Sequence, residues 1–557
     1  MGSAANLSHV AKWWKEGAVY QIYPASFQDS TGSGVGDLKG IIRRLDHIKS
    51  LGANIVWVCP IFKSPQVDLG YDISDYQDIH EAYGSVQDAE DLIREVHVRG
   101  MKLIFDLVIN HTSDQHDWFK ESRSSKTNPK RDWYIWRPPR YINGERHPPC
   151  NWRSAFGGSV WEWDELTQEY YLHIFCPEQP DLNWENPAVR QTLYSDVVRH
   201  WLDKGIDGWR IDTANMYSKR LEFPDAPVTD CVTIGELPHT PNLEDILSFV
   251  SEDAKQMSMV IQFDLADLDH NHGRFPLLLE PWTLQQWKRI TAESQAVAQP
   301  GNRAWVTTYL ENHDQARSVS RFGSDATSEL RIASAKMLAT YLLTLTGTPI
   351  IYQGEEIAMQ NCPKHWTFER DYKDVNTLNQ WRELQEAAAA QNEPKLLERG
   401  IRSKCSIQTT SRDHARTPMQ WDDSPQAGFS STPDTWMRVM DSYPEINVTA
   451  QENDPASVLN FYRHLLQLRQ QYKDIFVYGL FELLDPENPS TMLFIKRSTA
   501  DSSRAAFVAL NFSTEPQPCI LPAEFADLRD TPVVKTGAES GSQILAPFEA
   551  RIYVRSA

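Results

Sequence analysis

The chain has 557 residues, 41% hydrophobic and 23% charged, an ordinary globular composition with material for about three or four domains, or one large barrel with appendages. Fifty-five Lys and Arg against 75 Asp and Glu leave a formal charge of -20, which repels phosphate backbones and anionic membranes and leaves neutral partners open. Disordered and collagen-like classes are excluded by composition, and membrane spans by the lack of any apolar run of about 18 residues.

The 19 Trp, 20 Tyr and 21 Phe make 11% of the residues. Such flat apolar faces with polar rims are what sugar rings stack on, and a large core would use as many. The seven cysteines (Cys59, Cys150, Cys176, Cys231, Cys362, Cys405, Cys519) are scattered, odd in number and without zinc spacing, which predicts reduced thiols. The opening MGSAANLSHVAKWWKEG lacks the apolar stretch of a secretory signal, so a cytoplasmic protein is expected. Asn-x-Ser/Thr triplets at Asn6, Asn110, Asn447 and Asn511 would then go unused.

Short apolar runs alternate with amphipathic stretches along the chain, as in repeated βα units around a parallel sheet. The predicted strands are 18–23, 54–58, 102–109, 206–212, 232–236, 259–264, 304–310 and 349–353. Helical patterns over 38–51, 88–99, 189–204, 243–257 and 329–345 separate them. The expected fold is an α/β (β/α)8 TIM barrel, catalytic at the C-terminal ends of its strands. Residues 1–112 and 172–475 form the barrel; residues 113–171, rich in Trp, Pro, Arg and Gly and without a helical period, read as an inserted loop-rich domain after strand 3. From 476 to 557 short strands with turns predict a C-terminal antiparallel β-sandwich. The run Ala387 to Ala390 is too short to interpret.

Four predicted strands end in polar or acidic residues: LVINH, WRID, IGE and YLENHD. In GWRID, Arg210 and Asp212 project from the same face of a strand, and the guanidinium would hold the carboxylate ionised, fit to act as a nucleophile. Taken alone, an Arg-x-Asp reads first as a structural ion pair. Glu236 follows the apolar Val232, Thr233 and Ile234, an environment that raises a carboxyl pKa and suits a general acid. One lowered and one raised carboxyl on adjacent strands is the assignment of retaining glycoside hydrolysis. His111, His313 and Asp314 at equivalent strand ends are groups that grip sugar hydroxyls.

The ordered motifs DLVINHTS from Asp106, QPDLNWEN from Gln179, GWRIDTANMYS from Gly208, IGEL from Ile234 and YLENHDQARSVSRF from Tyr309 resemble the α-amylase family of glycoside hydrolases. The start WWKEGAVYQIYPASF, GYDISDY from Gly70 and RDHARTPMQW from Arg412 resemble its α-glucosidase and oligo-1,6-glucosidase branch. The resemblance implies that Asp212 is the nucleophile, Glu236 the acid/base and Asp314 the stabiliser of the transition state. It also implies that Asp68, Tyr71, His111, Phe156, Phe175, Arg210, His313 and Arg416 line the glucose pocket, with Arg416 preferred over Arg412. In this branch Thr after the nucleophile goes with α-1,4 linkages and Val with α-1,6; here the residue is Thr213.

Only 24 positions separate Asp212 from Glu236, where relatives carry a long helical insertion, so an open acceptor side is expected. The stretch Asp29 to Asp37 aligns with a calcium loop, and Thr31 and Ser33 replace its usual acidic or amide ligands. With Asp29 and Asp37 as the two remaining carboxylates, calcium would be held weakly; no cofactor is required. The expected activity is a retaining exo-acting α-glucosidase on maltose and short maltooligosaccharides, with transglucosylation to α-1,6 or α-1,4 products. An isomaltase or sucrose-converting enzyme is the alternative, the partner in each case being a small oligosaccharide. The silent barrel of amino-acid transporter heavy chains lacks the acid set that this chain keeps.

Overall fold

The computed structural model describes residues 12–217, 219, 243–250, 258–269, 279–390, 394–537 and 543–555. Its framework is a parallel sheet of β1 (Val19–Ile22), β2 (Ile55–Val58), β3 (Lys102–Leu107), β4 (Gly208–Ile211), β5 (Thr307–Thr308) and β6 (Thr348–Tyr352). The order is β4-β3-β2-β1-β6-β5. The last strand of this sheet thus pairs with the first, the connection that closes a (β/α)8 barrel. Val260 adds a parallel bridge to Val306, just before β5. The predicted strand over 232–236 lies outside the described residues. Every residue of β1, β2 and β6 is buried, as a parallel sheet with side chains inside and helices outside requires.

The helices follow from local signals. In α1 (Leu38–Leu51), Asp37 accepts from the Gly40 N–H, and Gly52 at φ 104° ends the helix in the left-handed conformation that glycine adopts without strain. Its buried Leu38, Ile41, Leu45, Ile48 and Leu51 recur at helical spacing, and each contributes about 1.5–3 kcal/mol on burial. A capping box of Ser85 and Asp88 starts α2 (Val86–Val98). Helix α3 (Leu284–Val297) packs against the C-terminal strands, as does α4 (Ser328–Thr344). Contact with α7 (Val458–Gln471) as well explains why α4 is buried almost all round. The stretch over 189–204, read as one helix, is a helix over Pro187–Thr192, a wider π turn over Leu193–Arg199 and a last helical turn to Lys204.

Besides α3 and α7, two further long helices were not read from the sequence. They are α5 (Val375–Ala390) and α6 (Pro394–Thr410), which pack on each other beside the C-terminal mouth of the barrel. The alanine run is the end of α5, and alanine is the strongest helix former.

The segment after β3 also differs from its loop-rich expectation. It holds a helix over Asp117–Ser124, started by the His116 imidazole accepting from the Trp118 N–H, and eight residues are too few to show a period. A three-stranded sheet of Trp136–Arg137, Trp161–Asp164 and Glu169–Leu172 follows. Bridges from His111 to Asp181 and from Tyr134 to Leu182 carry the segment beyond residue 171 and back onto the end of β3.

The C-terminal region is an antiparallel sheet of β7 (Leu480–Leu484), β8 (Thr491–Arg497), β9 (Ala505–Asn511), β10 (Val534–Lys535) and β11 (Ala550–Arg555). Alternating residues divide it: Phe494, Ala506, Val508 and Ile552 join the main core, whereas Ile495, Phe507 and Tyr553 pack with Phe525 and Leu545 on the other face. Among the described residues no helix is long and apolar enough to cross a membrane, and the six described cysteines are free thiols.

Candidate active site

Strand register builds the floor of the site. Because β3 and β4 run in parallel, Arg210 sits opposite Asp106. Its Nη1 donates to Asp106 at 2.8 Å and to Asp212, two residues on, at 2.7 Å. All three side chains are buried, so one guanidinium serves two carboxylates away from water. Burial pushes the Asp106 carboxyl up to about 6 although Arg210 pulls it down. The Trp57 indole and Tyr71 hydroxyl donate to its second oxygen at 3.2 and 3.3 Å.

Asp212 is the first residue past β4. Its N–H donates to the Leu107 carbonyl at 3.1 Å, and its carbonyl accepts from the Tyr217 hydroxyl at 2.7 Å. Thr213 follows at φ 42°, a left-handed conformation that costs a β-branched residue about 1–3 kcal/mol. The Thr213 hydroxyl is buried and has no hydrogen-bond partner among the described residues. The strained turn therefore leaves the Asp212 carboxylate at the strand tip and an unmet hydroxyl beside it.

The opposite wall comes from the segment after β5. Asp314 accepts from Arg416 Nη2 at 2.7 Å and from Arg412 Nη1 at 3.3 Å. Burial alone would raise its pKa; His313 and the two arginines outweigh that and hold the carboxylate far below its ordinary range. His313 stacks on Tyr71 with 5.4 Å between centroids, and its Nε2 lies 2.5 Å from the Tyr71 hydroxyl. Burial takes His313 down to about 3, despite the neighbouring Asp314, so the ring is neutral at physiological pH. Its Nδ1 is 2.8 Å from the Gln21 amide nitrogen.

A cavity of about 290 Å³ opens between these walls. Of the residues expected from the sequence, Asp68, Tyr71, His111, Phe156, Phe175, Arg210, Asp212, Thr213 and Asp314 line it. His313 is packed behind Tyr71 and Asp314, and Glu236 lies outside the described residues. Of the two arginines, Arg412 lines the cavity, whereas Arg416, 1% exposed, reaches Asp314 without lining it. Position alone could not separate them, since both reach Asp314 and Asp374.

Asp68 is a buried part of the lining. It meets Arg412 Nη2 at 3.3 Å, and burial raises it to about 6 against the pull of Arg412 and Arg416. Gln179 donates to Asp68 at 3.1 Å and lies 3.1 Å from His111 Nε2. Phe175 packs 5.2 Å from His111 and 5.5 Å from Phe156, continuing an aromatic wall outward. Gln179 sits inside a motif that the sequence singles out, but nothing in its type or spacing marks it. Asp374, Asn376, Thr377 and Gln380 also line the outer cavity; they belong to the start of α5, which carries none of the barrel motifs.

The residues of the presumptive calcium loop do not fit a metal. Asp29 accepts from the N–H groups of Thr31, Gly32 and Gly34 at 2.8–2.9 Å and from the hydroxyls of Thr31 and Ser430 at 3.1 and 2.7 Å. Asp37 accepts from the Ser30 N–H, the Ser30 hydroxyl and the Gly40 N–H, each at 2.7 Å, and the Ser33 hydroxyl donates to the Val35 carbonyl at 3.2 Å. N–H and O–H groups converge where a cation needs bare oxygens. Among the described residues no three His, Cys, Asp or Glu side chains come together as metal ligands would.

The chain matches the family described as "Alpha amylase, catalytic domain" over residues 21–234 and 226–479. It is 46% identical to an alpha-glucosidase of Candida albicans, covering 98% of this chain and 99% of that one. It is 43% identical to an oligo-1,6-glucosidase of Parageobacillus thermoglucosidasius, with 97% and 98% covered. A variant of isomaltulose synthase from Erwinia rhapontici NX5, solved with its natural substrate sucrose, superposes with a TM-score of 0.89 at 36% identity over 98% of this chain and all of that one. With the barrel, the strand-end acids and these matches together, the chain belongs to the α-amylase family and is a glycoside hydrolase.

Proposed function

We propose that the protein is a retaining exo-acting α-glucosidase that removes terminal α-1,4-linked glucose from maltose and short maltooligosaccharides. The observation that carries this reading is the pair of Asp68 and Arg412 in the cavity lining, set where the family resemblance puts the groups that grip a terminal, non-reducing glucose. In this reading Asp212 attacks the anomeric carbon while Glu236, in the role the family resemblance gives it, protonates the leaving oxygen; water then releases the β-linked glucosyl group with overall retention. Arg210 holds Asp212 aimed through the 2.7 Å hydrogen bond from its Nη1. Asp314, fully ionised and held by two arginines, faces the sugar where positive charge develops.

The partnerless Thr213 hydroxyl supports the α-1,4 preference, since a polar acceptor group can satisfy it and a methyl could not. The short connection between Asp212 and Glu236 supports transfer to a second sugar beside hydrolysis, with α-1,6 or α-1,4 products. The loop at Asp29 supports catalysis without calcium. Initial rates on maltose, isomaltose and sucrose test the linkage, with maltose expected fastest; faster isomaltose or sucrose turnover would replace the reading with its alternative. A product profile at high maltose containing glucose alone would remove the transfer activity.

A further inference from the structure

Arg412 is shared among three carboxylates unequally. Its contacts with Asp314 and Asp68, which face the cavity, are long, at 3.3 Å each. Those with Asp374, whose carboxylate has no exposed surface, are short: Nε at 2.7 Å and Nη2 at 2.5 Å from one oxygen. Asp374 is completely buried, and its other oxygen accepts from the Thr377 N–H and hydroxyl at 2.9 and 2.6 Å, capping α5. On its free face the guanidinium lies 5.1 Å over the Phe156 ring.

We propose that Asp374 is a positioning residue that holds Arg412 back from Asp68 and Asp314, leaving those carboxylates free to take the hydroxyls of the bound glucose. The inference rests on the α-glucosidase reading. A guanidinium without a rear partner would close on the two pocket carboxylates and compete with the sugar for them, because charge-assisted pairs shorten when no other acceptor is offered. With Asp374 in place, the best-formed contacts of Arg412 point away from the substrate. Arg416 and Arg412 outweigh the burial of Asp374 and keep it ionised, so the anchor is charged whether or not sugar is bound. The arrangement ties the inserted segment, through Phe156, to α5 across the arginine, and the Asn379 amide reaches the Phe156 carbonyl at 3.5 Å along the same seam.

The test is a double-mutant cycle on the full chain with 4-nitrophenyl α-D-glucoside, measuring KM, kcat and Tm. Asn caps a helix as well as Asp, so Asp374→Asn removes the charge and keeps the cap. It is expected to raise KM roughly tenfold, the effect of one charged hydrogen bond, with kcat changed less. Combined with Arg412→Gln it is expected to add nothing further. Thr377→Ala, which unlinks the other oxygen, is expected to lower Tm. Arg412→Lys keeps the charge and loses the two-point grip; it is expected to raise KM in the same way and decides the matter if Asp374→Asn does not fold. Unchanged KM in Asp374→Asn or Arg412→Lys, or KM effects that add in the double variant, would overturn the inference while leaving the glucosidase reading intact. A wild-type protein that does not cleave the substrate would overturn both.

Discussion

The inner and outer halves of the cavity are built differently. On one side of the site Arg210 joins Asp106 and Asp212, all three buried, and on the other Arg416 joins the partly exposed Asp314, every contact at 2.7–2.8 Å. At the mouth Arg153 and Glu383 approach only to 3.8 Å with half or more of the arginine exposed, and Asn379 meets Phe156 at 3.5 Å. A glucose to be distorted needs fixed charges around it. An acceptor that varies in linkage and length needs a wall that adjusts. The short contacts therefore gather at the strand ends, at Asp314 and on Asp374, and the long ones lie along the seam between the inserted segment and α5.

The largest break in this contrast comes from the inner half. Asp212→Ala is expected to lose about 10⁴- to 10⁶-fold in kcat with Tm nearly unchanged, and Asp314→Asn about 10²- to 10³-fold, by the precedents for a nucleophile and an electrostatic stabiliser. Stopped assays and calorimetry on the same preparations check both. Losses under tenfold would move the chemistry elsewhere.

Next comes pH. Asp68 and Asp106 are raised to about 6, so as pH falls through 6 they take up protons, their pairing with Arg412 and Arg210 weakens, and kcat/KM is expected to fall. Stability follows the opposite sign for these two groups: they bind protons more tightly folded than unfolded, so between about pH 4 and 6 their contribution declines as pH rises. His313, at about 3 when folded, costs stability as pH falls below its unfolded value of about 6.5. An acid limb near 4 instead of 6 would refute the raised carboxyls.

At the mouth the effects are smaller and selective. Thr213→Val is expected to shift the maltose to isomaltose rate ratio about tenfold toward isomaltose, and Phe156→Ala to raise KM for maltotriose more than for 4-nitrophenyl glucoside. Equal effects on both substrates would erase the distinction between the halves. Smallest of all, removal of calcium with a chelator is expected to leave Tm and activity unchanged, because the oxygens of Asp29 and Asp37 already accept hydrogen bonds; a calcium-dependent rise in Tm would contradict that.

The same contrast governs what the sequence made legible. The βα alternation and the polar strand ends are local patterns that point to the barrel and to His111, Arg210, Asp212, Glu236, His313 and Asp314, whereas the other pocket residues rest on the family resemblance. The helical pair α5 and α6 was missed because its role is set by where it docks, and its alanine run looked featureless. Arg412 and Arg416, four residues apart, are alike in every local respect; only the packing of one behind Asp314 and the other beside Phe156 separates them. Asp374 carries no motif and gains its place from three segments distant in the chain.

The most direct test of the central claim is mass spectrometry of the protein after reaction with a 5-fluoro-α-D-glucosyl fluoride, which forms a slowly hydrolysed glycosyl-enzyme intermediate. The account predicts one fluoroglucosyl adduct, located on the peptide containing Asp212 and absent from Asp212→Ala. An adduct on another carboxylate, or none during steady turnover of the reagent, would contradict it.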